Sequence, residues 1–236
     1  MWSPCYARHK GRPYMVRGFK NGRHARAPRN LPRSRANCYA GPYAGLTAHI
    51  GRGDFMARIS LIEETQHPEL GEMIARIKAG RRGGLLNVYK LLLHSPALAQ
   101  TWFDHNGAVR WKTKLTGRLR EIVIIRVAYL NGVDYVLAQH VPGLAIAEGL
   151  TIAECEALAN WRATDLFDLR ERAALAYAEA MTLSASVPDE VFADVRRHFD
   201  DRGIVELSVL IGTYIMHNRV MKALAIDLEP EGNRGR

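Results

Sequence analysis

Residues 118–140 read RLREIVIIRVAYLNGVDYVLAQH, and the fold turns on how this stretch divides. Thr116, just before it, has the side chain of a helix cap, and from Gly117 to about Leu130 the chain is apolar nearly all round, which marks a helix buried on most sides. Asn131-Gly132 breaks that helix. Val133 opens a second, which runs to about Glu148 with a kink near Pro142, because proline cannot donate a hydrogen bond to the carbonyl of Ala138. Two helices across so short a break predict an antiparallel hairpin. On its second helix Val133, Val136, Leu137 and His140 share one face by three-and-four spacing. Glu121 lies about as far before the break as His140 lies beyond it, so a carboxylate and an imidazole are brought within reach of each other.

Outward from the hairpin the chain reads as further short helices, with no persistent alternating pattern, and the class is all-α. One helix is expected over 68–78, with Pro68 in its opening turn and Gly80 beyond its end, then a loop over 81–84 and a helix over 85–93. Ser95 is the expected cap of a third, stopped by Asn106-Gly107. Thr151 with Glu154, and Asp168 with Glu171, have the spacing of capping boxes. A helix after Ser186 and another over 204–225 complete the reading.

Residues 1–55 carry eleven Lys or Arg (from Arg8 to Arg52) against one acid, Asp54, a net of +10 where the whole chain has +9. The remainder is therefore at −1, and the high isoelectric point describes this segment, with no basic face implied for residues 56–236. Rich in Gly, Pro and Asn and without an apolar run, residues 1–55 are expected to be a disordered tail. It reads as upstream sequence translated ahead of a natural start at Met56, with a nucleic-acid or membrane-surface arm and an organelle transit peptide as alternatives. Nucleic acid is a partner only if that tail is a real arm. Cys5, Cys38 and Cys155 form neither a disulfide framework nor a zinc site, which fits a reducing, cytoplasmic setting with no metal. The longest uncharged run in the C-terminal half, residues 207–218, is too short to span a bilayer.

A Glu and a His in one low-dielectric pocket can move a proton: the carboxylate fixes the ring's tautomer and raises its basicity, and the imidazole exchanges a proton near neutral pH. The same residues also have plain structural readings. Arg118 stands one helical turn from Glu121 and would make an ion pair with it, and a satisfied core histidine accounts for His140 on spacing alone.

This stretch resembles the carboxymuconolactone decarboxylase and alkylhydroperoxidase D superfamily, whose helical hairpin carries a Glu on its first helix and a His on its second. In the peroxidase branch two cysteines stand between them, and the frame matches here without a gap: Glu121, then Val133 and Val136 in the cysteine places, then His140. The likeness runs over nearly all of residues 56–230, including Asn87 to Pro96 and Gly149 to Glu154. It implies the fold, a homo-oligomer (trimer or hexamer), a small-molecule substrate and chemistry without a cofactor. Thiol peroxidase activity, which the family name also carries, needs a thiolate to attack and a second thiol to resolve, and valine is neither. The decarboxylase branch keeps the Glu and the His and acts on a small carboxylated lactone, whereas the segment with Trp161 and Asp165 is closer to the peroxidase-like branch.

The expected function is thus proton transfer on a small organic acid, lactone or related carbonyl compound, with Glu121 and His140 catalytic and Val133, Tyr135, Val136, Leu137 and Arg126 around the substrate. Arg126, alone among apolar residues, either holds a substrate carboxylate or makes an internal ion pair. Tyr135 is either a pocket hydroxyl or a half-buried tyrosine at a helix start. His217, Asn218 and Arg219 border the site or form a solvated helix end. Cys155, outside the two-cysteine frame, reads as a small buried hydrophobe. A hydroperoxide-reducing enzyme and a non-catalytic, ligand-binding oligomer are the competing classes.

Overall fold

The computed structural model describes residues 57–81 and 83–230, and the backbone of 6–9 and 12–15. The chain divides into two units, Met1–Ala40 and Gly41–Arg236. In the first, β1 (Tyr6–His9) and β2 (Arg12–Met15) pair antiparallel with Tyr6 opposite Met15 and His9 opposite Arg12, a hairpin the sequence reading did not single out. The rest of the expected tail, and its boundary at Met56, lie outside the described residues.

Every element described in the second unit is helical: α1 (Gly71–Ala79), α2 (Asn87–Leu92), α3 (Pro96–Trp111), α4 (Gly117–Asn131), α5 (Asp134–Gln139), α6 (Ile152–Ala157), α7 (Leu169–Leu183), α8 (Asp189–His198) and α9 (Asp201–Ala223). Helix α4 is central and packs on α5, α7 and α9, with Ile122, Val123, Ile124, Ile125, Val127 and Ala128 closed to solvent on all sides. That is what an apolar run with no polar face requires. A second cluster, built on Ile74, Ile77, Tyr89 and Leu93, joins α1, α2 and α3. No helix of the described residues is long and apolar enough to cross a membrane.

The local signals act as read at most helix ends. Thr116 Oγ1 accepts from the Leu119 N–H, and both capping boxes form, Thr151 with Glu154 and Asp168 with Glu171. Gly132 takes a left-handed φ of 63°, and the Val133 N–H reaches back to the Ala128 carbonyl, closing α4 with the turn that lets α5 fold back. Around Pro142 the kink takes the form of a π turn, His140–Ala145, continuous with α5. Two expectations are corrected. Ser95 makes no side-chain cap, and α3 runs through Asn106-Gly107 to Trp111, because that segment is held by its packing on α9 and an interior glycine costs only about 1 kcal/mol.

Candidate functional site

The hairpin brings Glu121 and His140 together. Glu121 projects from the first turns of α4 and His140 from the junction of α5 with the π turn, and His140 Nδ1 lies 2.5 Å from Glu121 Oε2 with both side chains buried. The other carboxylate oxygen is 3.2 Å from Arg110 Nη2 on α3 and 3.6 Å from Arg120 Nε. Burial works to raise the Glu121 pKa, but His140 and then the two guanidinium groups outweigh it and hold the carboxyl below its ordinary range. For His140 burial dominates over the carboxylate, and the ring's pKa falls below the ordinary value for histidine. The pair is a carboxylate and a neutral imidazole, with Nδ1–H donating to Glu121. Nε2, not committed to that bond, carries the lone pair.

His140 lines a cavity of about 120 Å³ walled by α2, α3, α5 and α9. Arg81 and Arg110 bring positive charge to its lining, Val136, Leu144 and Met221 bring apolar surface, and Trp102, Tyr214 and His217 bring rings. The Tyr214 ring meets both histidines, edge-on to His140 at 5.6 Å and tilted to His217 at 5.1 Å between centroids. Such a space suits a small anionic or oxygen-bearing molecule, enclosed mostly by apolar walls with a few polar groups.

The predicted site residues divide. Val136 and Tyr135 line the cavity, but the Tyr135 hydroxyl is spent: it donates to the buried Glu229 at 2.6 Å, and the same carboxylate oxygen accepts from the Asn87 N–H at 2.7 Å. Val133 and Leu137 are buried in the core and absent from the cavity wall, since the helix opens only after Val133 and turns them toward α4 and its neighbours. Arg126 does not reach the cavity either. Its Nη1 donates to the carbonyls of Leu158 and Ala159 and its Nη2 to Glu179, which settles its alternatives in favour of the internal ion pair. Arg118 leaves Glu121 alone and bridges Glu154 and Glu171 at 2.6 and 2.7 Å, because those carboxylates, fixed by their capping boxes, sit nearer than the one a turn away. His217 is buried and lines the cavity, while Asn218 is buried away from it. Cys155 is buried, and desolvation pushes its thiol up to about 11, so it holds no thiolate at neutral pH.

Sequence reasoning missed the α3 wall. Trp102, Asn106 and Arg110 recur every four residues and so share a face of α3, a signal present in the sequence but hidden by the expectation that the helix stopped at Asn106.

Residues 96–180 match the model of the carboxymuconolactone decarboxylase family. The uncharacterised protein YdfG of Bacillus subtilis (strain 168) is 34% identical over 107 residues, covering 44% of this chain and 72% of that one. Among solved structures, an uncharacterised peroxidase-related protein from Silicibacter sp. TM1040 superposes with a TM-score of 0.67 at 21% identity, over 79% of this chain and 99% of that one. A form of the debrominase Bmp8 in complex with 2,3,4-tribromopyrrole superposes with a TM-score of 0.62 at 19% identity, over 72% of this chain and 91% of that one. At these identities the two structures speak for the fold alone.

Proposed function

This chain belongs to the carboxymuconolactone decarboxylase family, and from that premise and the geometry of the buried pair we propose that it is an enzyme moving a proton on a small organic acid, lactone or related carbonyl compound. The observation that carries the reading is the 2.5 Å bond between His140 Nδ1 and Glu121, which holds a neutral ring with its second nitrogen left to act as the base. Glu121 orients the ring and compensates the charge that appears when Nε2 takes a proton. Arg110, already on the carboxylate, and Arg81 favour an anionic substrate in the same cavity. The apolar wall excludes water from the transfer.

The thiol-peroxidase reading finds no support in the chain's own residues, with valines at both thiol places and Cys155 buried, protonated and off the cavity. For assembly, Val205, Val209 and Met216 lie exposed on one face of α9 and support pairing with further copies of the chain.

The test is a panel of small lactones and carboxylated carbonyl compounds offered to the full chain and to His140→Gln. Turnover by the native protein, reduced about 10²- to 10⁴-fold in the variant at an unchanged melting temperature, is the expected result. A native protein silent across the panel, or a variant as active as the native one, overturns the proposal.

A further inference from the structure

The wall that α3 and α9 build contains a second histidine whose protonation is dictated by its neighbours. Asn106 Nδ2 lies 3.0 Å from the Trp102 carbonyl oxygen and 3.0 Å from His217 Nε2. A carbonyl oxygen only accepts, so the amide atom facing it is the nitrogen, and the orientation of the Asn106 side chain is fixed. The second hydrogen on that nitrogen points at His217 Nε2, which must therefore be bare. An imidazolium would set two hydrogens against each other there, so the ring is neutral and its single proton sits on Nδ1. Burial above all, with the guanidinium groups of Arg110 and Arg81 nearby, pushes the His217 pKa down to about 3, in accord with that assignment.

The ring is also held rigidly. It stacks on Trp102 at 4.3 Å between centroids and 11° between planes, and it is tilted against Tyr214 on its own helix. Among the described residues the ring's hydrogen bond runs through Nε2, with Asn106, and none runs through Nδ1. A donor on a cavity wall, carried by a ring held in place by Trp102 and Tyr214 and with no protein partner, is a group that a ligand acceptor in the cavity can use.

We propose that His217 donates from Nδ1 to the substrate's carbonyl oxygen and stabilises the negative charge that develops there when His140 takes a proton. The inference deepens the general-base reading of His140 and rests on it. It narrows the substrate to a small carbonyl compound with a hydrogen on the carbon next to the carbonyl. In the step, the C–H bond breaks and its proton goes to His140 Nε2. The electron pair left on carbon forms the carbon–carbon double bond, and the carbonyl π pair moves onto the oxygen facing His217. The proton then returns from Nε2 to carbon. A neutral imidazole suits this role, because a preorganised donor aimed at the developing oxyanion acts without giving up its own proton.

Two measurements on the full chain test it. In ¹⁵N-histidine NMR, His217 is expected neutral, with Nδ1 protonated and Nε2 bare from pH 5 to 8. An Nε2-protonated or cationic ring overturns the proposal, whatever any variant does. The second uses 4-nitrophenol as an enolate mimic, at a pH where it is already the phenolate. The native chain and His217→Asn, whose amide nitrogen takes the place of Nδ1, are expected to bind it within about threefold of each other. His217→Phe, which keeps the stacking on Trp102, should bind it at least about tenfold more weakly, as loss of a hydrogen bond to a charged group implies. Equal binding by His217→Phe, or none by the native chain, overturns the assignment. Because the probe arrives without its proton, His140 is not called on to act as a base, so failure of the His140 reading leaves this result standing and the two are told apart.

Discussion

Helix α4 carries Glu121 and Arg126, two buried charges five residues apart, and the fold treats them in opposite ways. Arg126 is sealed: both terminal nitrogens are spent on Glu179 and on the carbonyls that follow α6, and it does not line the cavity that His140 faces. Glu121 is also fully enclosed, yet the ring it holds lies on a cavity wall and keeps one nitrogen uncommitted. Burial of a charge therefore does not mark a site, since a structural ion pair needs burial as much as a catalytic one. The distinguishing feature is bonding capacity left over and turned toward space.

The strongest way to break this comparison is acid. His217 falls from an ordinary 6.5 to about 3, and His140 is lowered as well, so the unfolded chain binds protons that the folded chain refuses. The stability tied to them is complete above about pH 6.5 and drains away as pH falls toward 3. For His217 alone it amounts to as much as about 5 kcal/mol, converting 1.36 kcal/mol per unit. Urea melts of the native chain and of His217→Phe across that range should show the variant with the shallower loss. Parallel curves would mean that the cavity end titrates no differently from the rest of the molecule.

At the sealed end, Arg126→Met should remove about 1–3 kcal/mol, because the Leu158 and Ala159 carbonyls lose their donor, while half-buried Glu179 keeps Arg162 and the Trp161 indole N–H. Adding Glu179→Leu should deepen the loss in the same melts, because the Trp161 indole N–H and Arg162 then lose their acceptor. The 4-nitrophenolate affinity of the folded protein should not change in either variant, and a change would tie Arg126 to the cavity after all.

Thr116→Ala bears on both charges at once, since it removes the cap of the helix they share. A loss of about 1 kcal/mol with an unaltered pH dependence is expected, and an altered one would show that the cap positions Glu121. The smallest effect is an absence. The native chain should not turn over an organic hydroperoxide with dithiol reductants, because the Cys155 thiol is held at about 11 and no other described cysteine exists. Gain of such turnover by Val133→Cys with Val136→Cys, dependent on His140, would show that the proton relay is intact and only the nucleophile differs. Many turnovers by the unmodified chain would point to Cys155.

The sequence by itself determined the hairpin and the pair at its heart. The caps at Thr116, Thr151 and Asp168, the glycine break at Gly132 and the three-and-four spacing are local instructions, and two helices joined by so short a turn have little freedom in what they place opposite each other. That is why Glu121 and His140 were legible nineteen residues apart. The tertiary structure alone decided the rest. Arg126 meets Glu179 across 53 residues and Asn106 meets His217 across 111, and no periodicity encodes which buried side chains will face each other over such spans. Arg118 shows the same competition in reverse, since the acid a turn away lost to Glu154 and Glu171, 36 and 53 residues on. A polar side chain taken out of water must find a partner, and which partner is nearest is settled only when the helices pack.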